Sequence, residues 1–149
     1  MIGNKLSYIT LSGETFPLRC GMEVLEEIQE KYGSIDEFEK RIMLFVPQKD
    51  KDGNDVVNEE GVAIGQYITP KIKDLGDALH LMVTAGLELE AELEDKEIRK
   101  VSRRELLEKA DMMPVTLGLK LHEEMMRCFR RKNGEATQEE MGAEMKKNP

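Results

Sequence analysis

Two cysteines and two histidines are all that this chain of 149 residues holds of the side chains that most often carry metal or redox chemistry. Cys20 and Cys128 are too widely separated to suggest a disulfide framework or a Cys-rich zinc site, so a reducing cytoplasm is the expected setting. Long apolar runs are missing as well. None approaches the ~20 residues that span a bilayer, and the opening MIGNKLSYIT lacks a basic region followed by an apolar stretch, so neither a membrane nor secretion is expected. Positive charge is in the minority. Lysine and arginine number 22 against 30 acidic residues, giving a net charge of −8 and a pI near 5.0. Non-specific nucleic-acid binding relies on clustered cations and is therefore not expected.

What is present reads as one α+β domain, mainly α. A composition of 35% charged and 40% hydrophobic residues fits a helix-rich globular chain, and this length can bury roughly 70% of the surface that the unfolded chain exposes. An N-terminal β-hairpin is expected to pack on a bundle of about four to six helices. Residues 1–134 form the compact unit, a polar loop or small hairpin is inserted at about 47–69, and residues 135–149 form a weakly ordered tail, since GAEMKKNP has little apolar content to hold it down.

The hairpin is the clearest pattern. A two-residue turn at Ser12-Gly13 pairs Leu11 with Glu14 and Ile9 with Phe16. That register puts Ile9, Leu11, Phe16 and Leu18 on one face, with Thr10, Thr15 and Arg19 on the other. Pro17 has no N–H, so its strand should lie at an edge or turn that amide position outward. Helices follow. Val24, Leu25, Ile28 and Tyr32 recur at helical spacing before Gly33, and Ser34 with Glu37 forms a capping box for a second helix. Ile35, Phe38, Ile42 and Phe45 mark its apolar stripe, and Pro47 should stop it. The polar segment from Gln48 to Gln66 then leaves the body, either as a hairpin turning at Asp52-Gly53-Asn54 or as a loop.

Thr69-Pro70 looks like the cap and first residue of the longest apolar helix. Ile72, Leu75, Ala78, Leu79, Met82, Val83 and Leu87 give it a broad buried face, with Leu81 and Ala85 nearly closing the circle. Ser102 and Glu105 cap a short helix through Leu106, Leu107 and Ala110. Pro114 opens the last long helix, where Val115, Leu119, Met125, Met126 and Phe129 share a face. Gly134 should end it, and Thr137 with Glu140 would cap one further turn. No internal repeat is evident.

Candidate chemistry is sparse. Asp50, Asp52 and Asn54 match the first three ligand positions of a calcium loop, but Asp55 stands where its glycine belongs and Gly61 where its bidentate Glu belongs. His122-Glu123 begins like the HExxH zinc signature, but Met126 takes the second histidine's place. Asp77 and His80 lie three apart on one helix with no nucleophile beside them in sequence. Cys20 reads as a small buried side chain. Cys128, beside Arg127, Arg130 and Arg131, reads as a surface cysteine on a basic helix end. No catalytic group, metal or cofactor is expected.

Binding features are more evident. Ten methionines, including the pairs Met112-Met113 and Met125-Met126, suit either core filling or an adaptable surface. Acidic residues Glu88, Glu90, Glu92, Glu94, Asp95 and Glu97 precede basic Arg99, Lys100, Arg103 and Arg104. A second basic cluster, Arg127, Arg130, Arg131 and Lys132, complements a helix C-terminus. Opposed blocks of this kind suit head-to-tail homo-oligomer contacts.

Phe16-Pro17-Leu18-Arg19, Gly21, Gly33-Ser34 and the later Ala85-Gly86-Leu87-Glu88 together resemble elements of the tail assembly chaperones of long-tailed bacteriophages and prophages, over roughly residues 5 to 90. The polar segment 48–66 is an insertion relative to shorter members. The resemblance implies a non-enzymatic protein of the bacterial host cytoplasm that binds the tape measure protein and assists assembly of tail-tube protein. It also implies a longer form made by frameshifting, for which Lys146-Lys147-Asn148 are the candidate site. A helix-in-groove contact is expected, with Met125, Met126 and Phe129, joined by Met82, as the candidate partner-binding face or, alternatively, as core. Two other classes remain: a small phage-encoded DNA-binding regulator using Arg103-Arg104, and a small metal-binding or enzyme domain built on Asp77 with His80 and on the 50–60 loop.

Overall fold

The computed structural model describes residues 6–133, and side chains through residue 130. The described residues form an antiparallel hairpin, β1 (Ser7–Leu11) and β2 (Glu14–Leu18), then α1 (Met22–Tyr32) and α2 (Ile35–Ile42). A second two-stranded ribbon follows, β3 (Leu44–Pro47) and β4 (Gly65–Ile68), then α3 (Ile72–Glu94), α4 (Arg103–Lys109) and α5 (Pro114–Asn133). The fold is α+β and mainly α, as expected.

The hairpin register agrees with the one expected, Leu11 opposite Glu14 and Ile9 opposite Phe16. Ser12 and Gly13 both carry positive φ, 51° and 78°, the backbone of a type I′ turn. In such a hairpin the pair flanking the turn exchanges hydrogen bonds and alternate pairs do not, so Pro17, opposite Tyr8, falls where the strand amide points away from β1. Ile9, Leu11, Phe16 and Leu18 are all buried. Their cover is α3.

Helix α3 runs through the middle of the molecule and touches β2, α1, α2, α4 and α5. The contact with β2 is unusually close. Arg19 N–H donates to the Met82 carbonyl at 3.0 Å, and one turn further along, a Cβ on Gly86 would lie 2.6 Å from the carbonyl carbon and oxygen of Pro17. The missing side chain is what lets the strand backbone rest on the helix. At the hairpin tip, Ser12 Oγ donates to the Lys109 carbonyl at 2.7 Å, Lys109 and Arg99 pair with Glu14, and Arg99 stands 5.0 Å over the Phe16 ring.

Three expectations need correction. Phe45 is not on α2: that helix ends at Ile42, Met43 leaves it at φ −131° and ψ 84°, and residues 44–47 pair with 65–68 as a ribbon. The aromatic and β-branched residues on both segments satisfy one another across the strands, with the Phe45 and Tyr67 rings 5.3 Å apart. Second, α3 starts at Ile72 with Lys71 as its N-cap, so Thr69 does not cap it, and Ile72 is 51% exposed. Third, Cys128 is buried at 3% exposure on the inner face of α5 with Leu117, Leu121 and Met125, while Leu119 is exposed. The two serine caps stand as expected, Ser34 accepting from Glu37 N–H and Ser102 from Glu105 N–H, each at 3.0 Å. The expected end at Gly134, the 137–140 turn, the tail and the Lys146-Lys147-Asn148 site lie outside the described residues.

The inserted segment is a hairpin of an unexpected kind. Asp50 Oδ1 accepts the N–H groups of Asp52 and Asn54, each at 2.9 Å. Asn58 Oδ1 accepts those of Glu60 and Val62, at 2.9 and 3.0 Å. Gly53 and Gly61 hold the same position in the two turns, at φ 82° and 81°, a left-handed conformation that favours glycine. The two turns are therefore a structural repeat at eight-residue spacing, legible in sequence only as an Asx followed three residues later by Gly. Gln48, Ile64 and Val56 close the unit in a ring: Gln48 N–H donates to Ile64 O, Ile64 N–H to Val56 O and Val56 N–H to Gln48 O, at 2.8, 2.9 and 2.8 Å.

Candidate binding cleft and exposed ribbon

Helices α1 and α3 run antiparallel. The start of α1 is tied to the middle of α3 by the Arg19–Met82 bond, and its end to the first turns of α3 by Lys31 Nζ and Asp77 at 2.8 Å. Between them opens a cleft of about 740 Å³. Ile28, Phe38 and Ala78 lie buried beneath it, Leu81 and Tyr32 are the apolar side chains partly open to it, and Glu27, Glu30, Lys31, Asp77, His80 and Thr84 complete the lining. The alternation on each helix explains this: α1 buries Val24, Leu25 and Ile28 and leaves Glu26, Glu27 and Glu30 in water.

One end of the cleft is a charge cluster. Asp77 meets Lys31 at 2.8 Å, Lys73 at 3.3 Å and Arg103 at 2.8 Å. Burial pushes its carboxyl up, but the hydrogen bonds from Lys31, Lys73 and Arg103 and the charge of Lys31 outweigh that and hold it below the usual range. Asp74, 6% exposed, has Arg41 at 3.7 Å. Tyr32 stands among these groups, its ring 5.2 Å from that of Phe38 and with Arg41 5.5 Å away. Its hydroxyl is buried and finds no hydrogen-bond partner among the described residues. Burial first, then the negative charges of Asp74 and Asp77, push the phenol up to about 12.

The residues singled out for chemistry are dispersed. His80 Nε2 bonds the Val101 carbonyl at 3.0 Å; a carbonyl only accepts, so this nitrogen carries the proton. Asp77 faces three cations instead, so the pair is not an acid–base dyad. His122 Nε2 lies 2.9 Å from Glu39 on α2. Asp50 and Asn58 are engaged by turn amides, and no group of three or more His, Cys, Asp or Glu among the described residues is arranged to hold a metal. No described helix is long and apolar enough to cross a membrane.

Of the expected partner-binding residues, Met82 and Met125 are 0% exposed and belong to the core, while Met126 and Phe129 are partly buried against it. They do not line the α1–α3 cleft. Exposed apolar surface is concentrated elsewhere: Phe45, Val46, Val57, Val62, Ile64, Tyr67 and Ile68 all lie exposed on the ribbon between α2 and α3. Sequence reasoning also missed two buried carboxylates. Asp74 is one; the other is Glu124, 2% exposed, which accepts from Ser7 Oγ and lies 3.7 Å from Arg127. The available signal was position, for Glu124 interrupts the inward stripe Leu117, Leu121, Met125, Cys128.

Comparison of the chain with protein-family models, with curated proteins and with solved structures finds no match.

Proposed function

We propose that the chain is a non-enzymatic tail assembly chaperone of a long-tailed bacteriophage or prophage, which holds helical segments of the tape measure protein in the bacterial host cytoplasm while tail-tube protein assembles. The α1–α3 cleft is the observation that carries this reading. It is an open trough between two antiparallel helices, with Leu81 and Tyr32 partly exposed in it, a setting in which an amphipathic helix can lay down its apolar face. Many such contacts along one long partner gain strength from multivalency. The sequence elements around Pro17 and Gly86, on which the resemblance rests, are also those that seat the hairpin against α3. Against the regulator reading stands Arg103, engaged by Asp77 and by the Lys73 carbonyl and so not offered to a phosphate backbone.

Co-expression with a tape measure protein tests the reading. The wild-type chain is expected to keep that protein in the supernatant and to co-purify with it, and Thr84→Arg, which fills the cleft from its wall, to lose both while keeping its helical circular dichroism. Equal recovery with the variant, or none with the wild type, would overturn it.

A further inference from the structure

The cleft carries a charge asymmetry that its own ion pairs leave in place. The Asp77 end is cationic, because Lys31 at 2.8 Å, Lys73 at 3.3 Å and Arg103 at 2.8 Å share one carboxylate, and the acidic part is the α1 side. Glu27 and Glu30 line the same cleft, are exposed, and form no ion pair among the described residues. Acid continues beyond both walls. Glu26 lies exposed on α1, and Glu88, exposed, follows Thr84 by one turn on α3.

From these observations we infer that the occupant of the cleft is a cationic amphipathic helix of another protein. Its apolar side chains, spaced three and four apart, meet the partly exposed Leu81 and Tyr32, and Lys or Arg beside that stripe reaches Glu27 and Glu30. The wall from Asp77 to Thr84 is about 10 Å long at the helical rise, so it takes about two turns of the occupant. The inference rests on the helix-capture reading and adds the sign of the charge that the captured helix must carry.

The test uses the full chain and two synthetic helical peptides that share one leucine stripe and differ only in bearing Lys or Glu at the flanking positions. Fluorescence anisotropy should show the Lys peptide binding roughly tenfold more tightly at low salt, with the gap narrowing as salt is added. A chain carrying Glu27→Lys and Glu30→Lys together should reverse the preference. Equal affinity for both peptides, or an unchanged preference in the double variant, would overturn the charge assignment and leave helix capture standing. Failure of both peptides to bind would overturn helix capture itself. Displacement of a second copy of the chain by the peptide, seen in sedimentation, would overturn the assignment to a separate protein.

Discussion

At Gly86 the difference between a hydrogen and a methyl group decides how closely β2 can lie on α3. An alanine there would place its Cβ 2.6 Å from the Pro17 carbonyl, a backbone group that cannot swing aside. Overpacking of this kind outweighs the helix propensity that alanine gains, so Gly86→Ala should destabilise the chain by about 2 kcal/mol, read from the urea midpoint. Glu124 poses the opposite problem. Its buried carboxylate accepts from Ser7 and faces Arg127, which itself donates to Ser7 Oγ, so its removal takes the acceptor from Ser7 and the opposing charge from Arg127. Glu124→Ala should cost about 3 kcal/mol. A loss below 1 kcal/mol would mean that the carboxylate is hydrated rather than held.

Among the elements, what could be read from the sequence depended on whether neighbours or distant segments decide the local structure. The caps at Ser34 and Ser102 are local, because a hydroxyl meets an amide three residues on, and both stand where the pattern puts them. Ser102→Ala should therefore cost about 1 kcal/mol, with the loss of helicity confined to α4 in hydrogen exchange. The first hairpin was legible for the same reason, as its turn and alternation lie within twelve residues. Residues 44–47 were not, because their strand partner begins at Gly65 and the helical stripe running from Ile35 simply continues through Phe45 in sequence. The methionines were legible only as a pair of alternatives. Helical spacing identifies a buried or binding face but not which of the two it is, and Met82 and Met125 are fully buried members of the core. The cleft that does open lies between elements some fifty residues apart in sequence, and no local pattern announces it.

Taken as a whole, the molecule is held at several joints by ion pairs, and these set its response to pH. Glu14 is held below the usual carboxylate range first by Lys109 and then by Arg99, and Asp77 by Lys31, Lys73 and Arg103 against the effect of burial. Both folded values lie below the unfolded ones, so their stabilisation is complete above the ordinary carboxylate range and is lost as pH falls through the folded values. Urea titrations from pH 7 to pH 3 should show stability falling on acidification, with a shallower fall for Asp77→Asn. Tyr32 acts at the other end. Its folded value, about 12, lies above the ordinary 10, so the protonated phenol is favoured by folding and that contribution is lost as pH rises from 10 towards 12. Tyr32→Phe should flatten the alkaline limb and, having no hydrogen bond to lose, should change stability at pH 7 by less than about 1 kcal/mol.

The ring of hydrogen bonds through Gln48, Val56 and Ile64 also bears on how this chain can change its length. Pro47 and Gly65 are cross-strand neighbours, so everything between them departs from and returns to one place on the surface. Closing a short connection there costs little entropy, and replacing residues 48–64 with Asn-Gly should leave the far-ultraviolet spectrum and the cooperative unfolding of the body intact. The fold thus has a docking port for extra sequence: a position where a lineage can add, enlarge or discard a self-closed module while the helices beneath it go on folding as before.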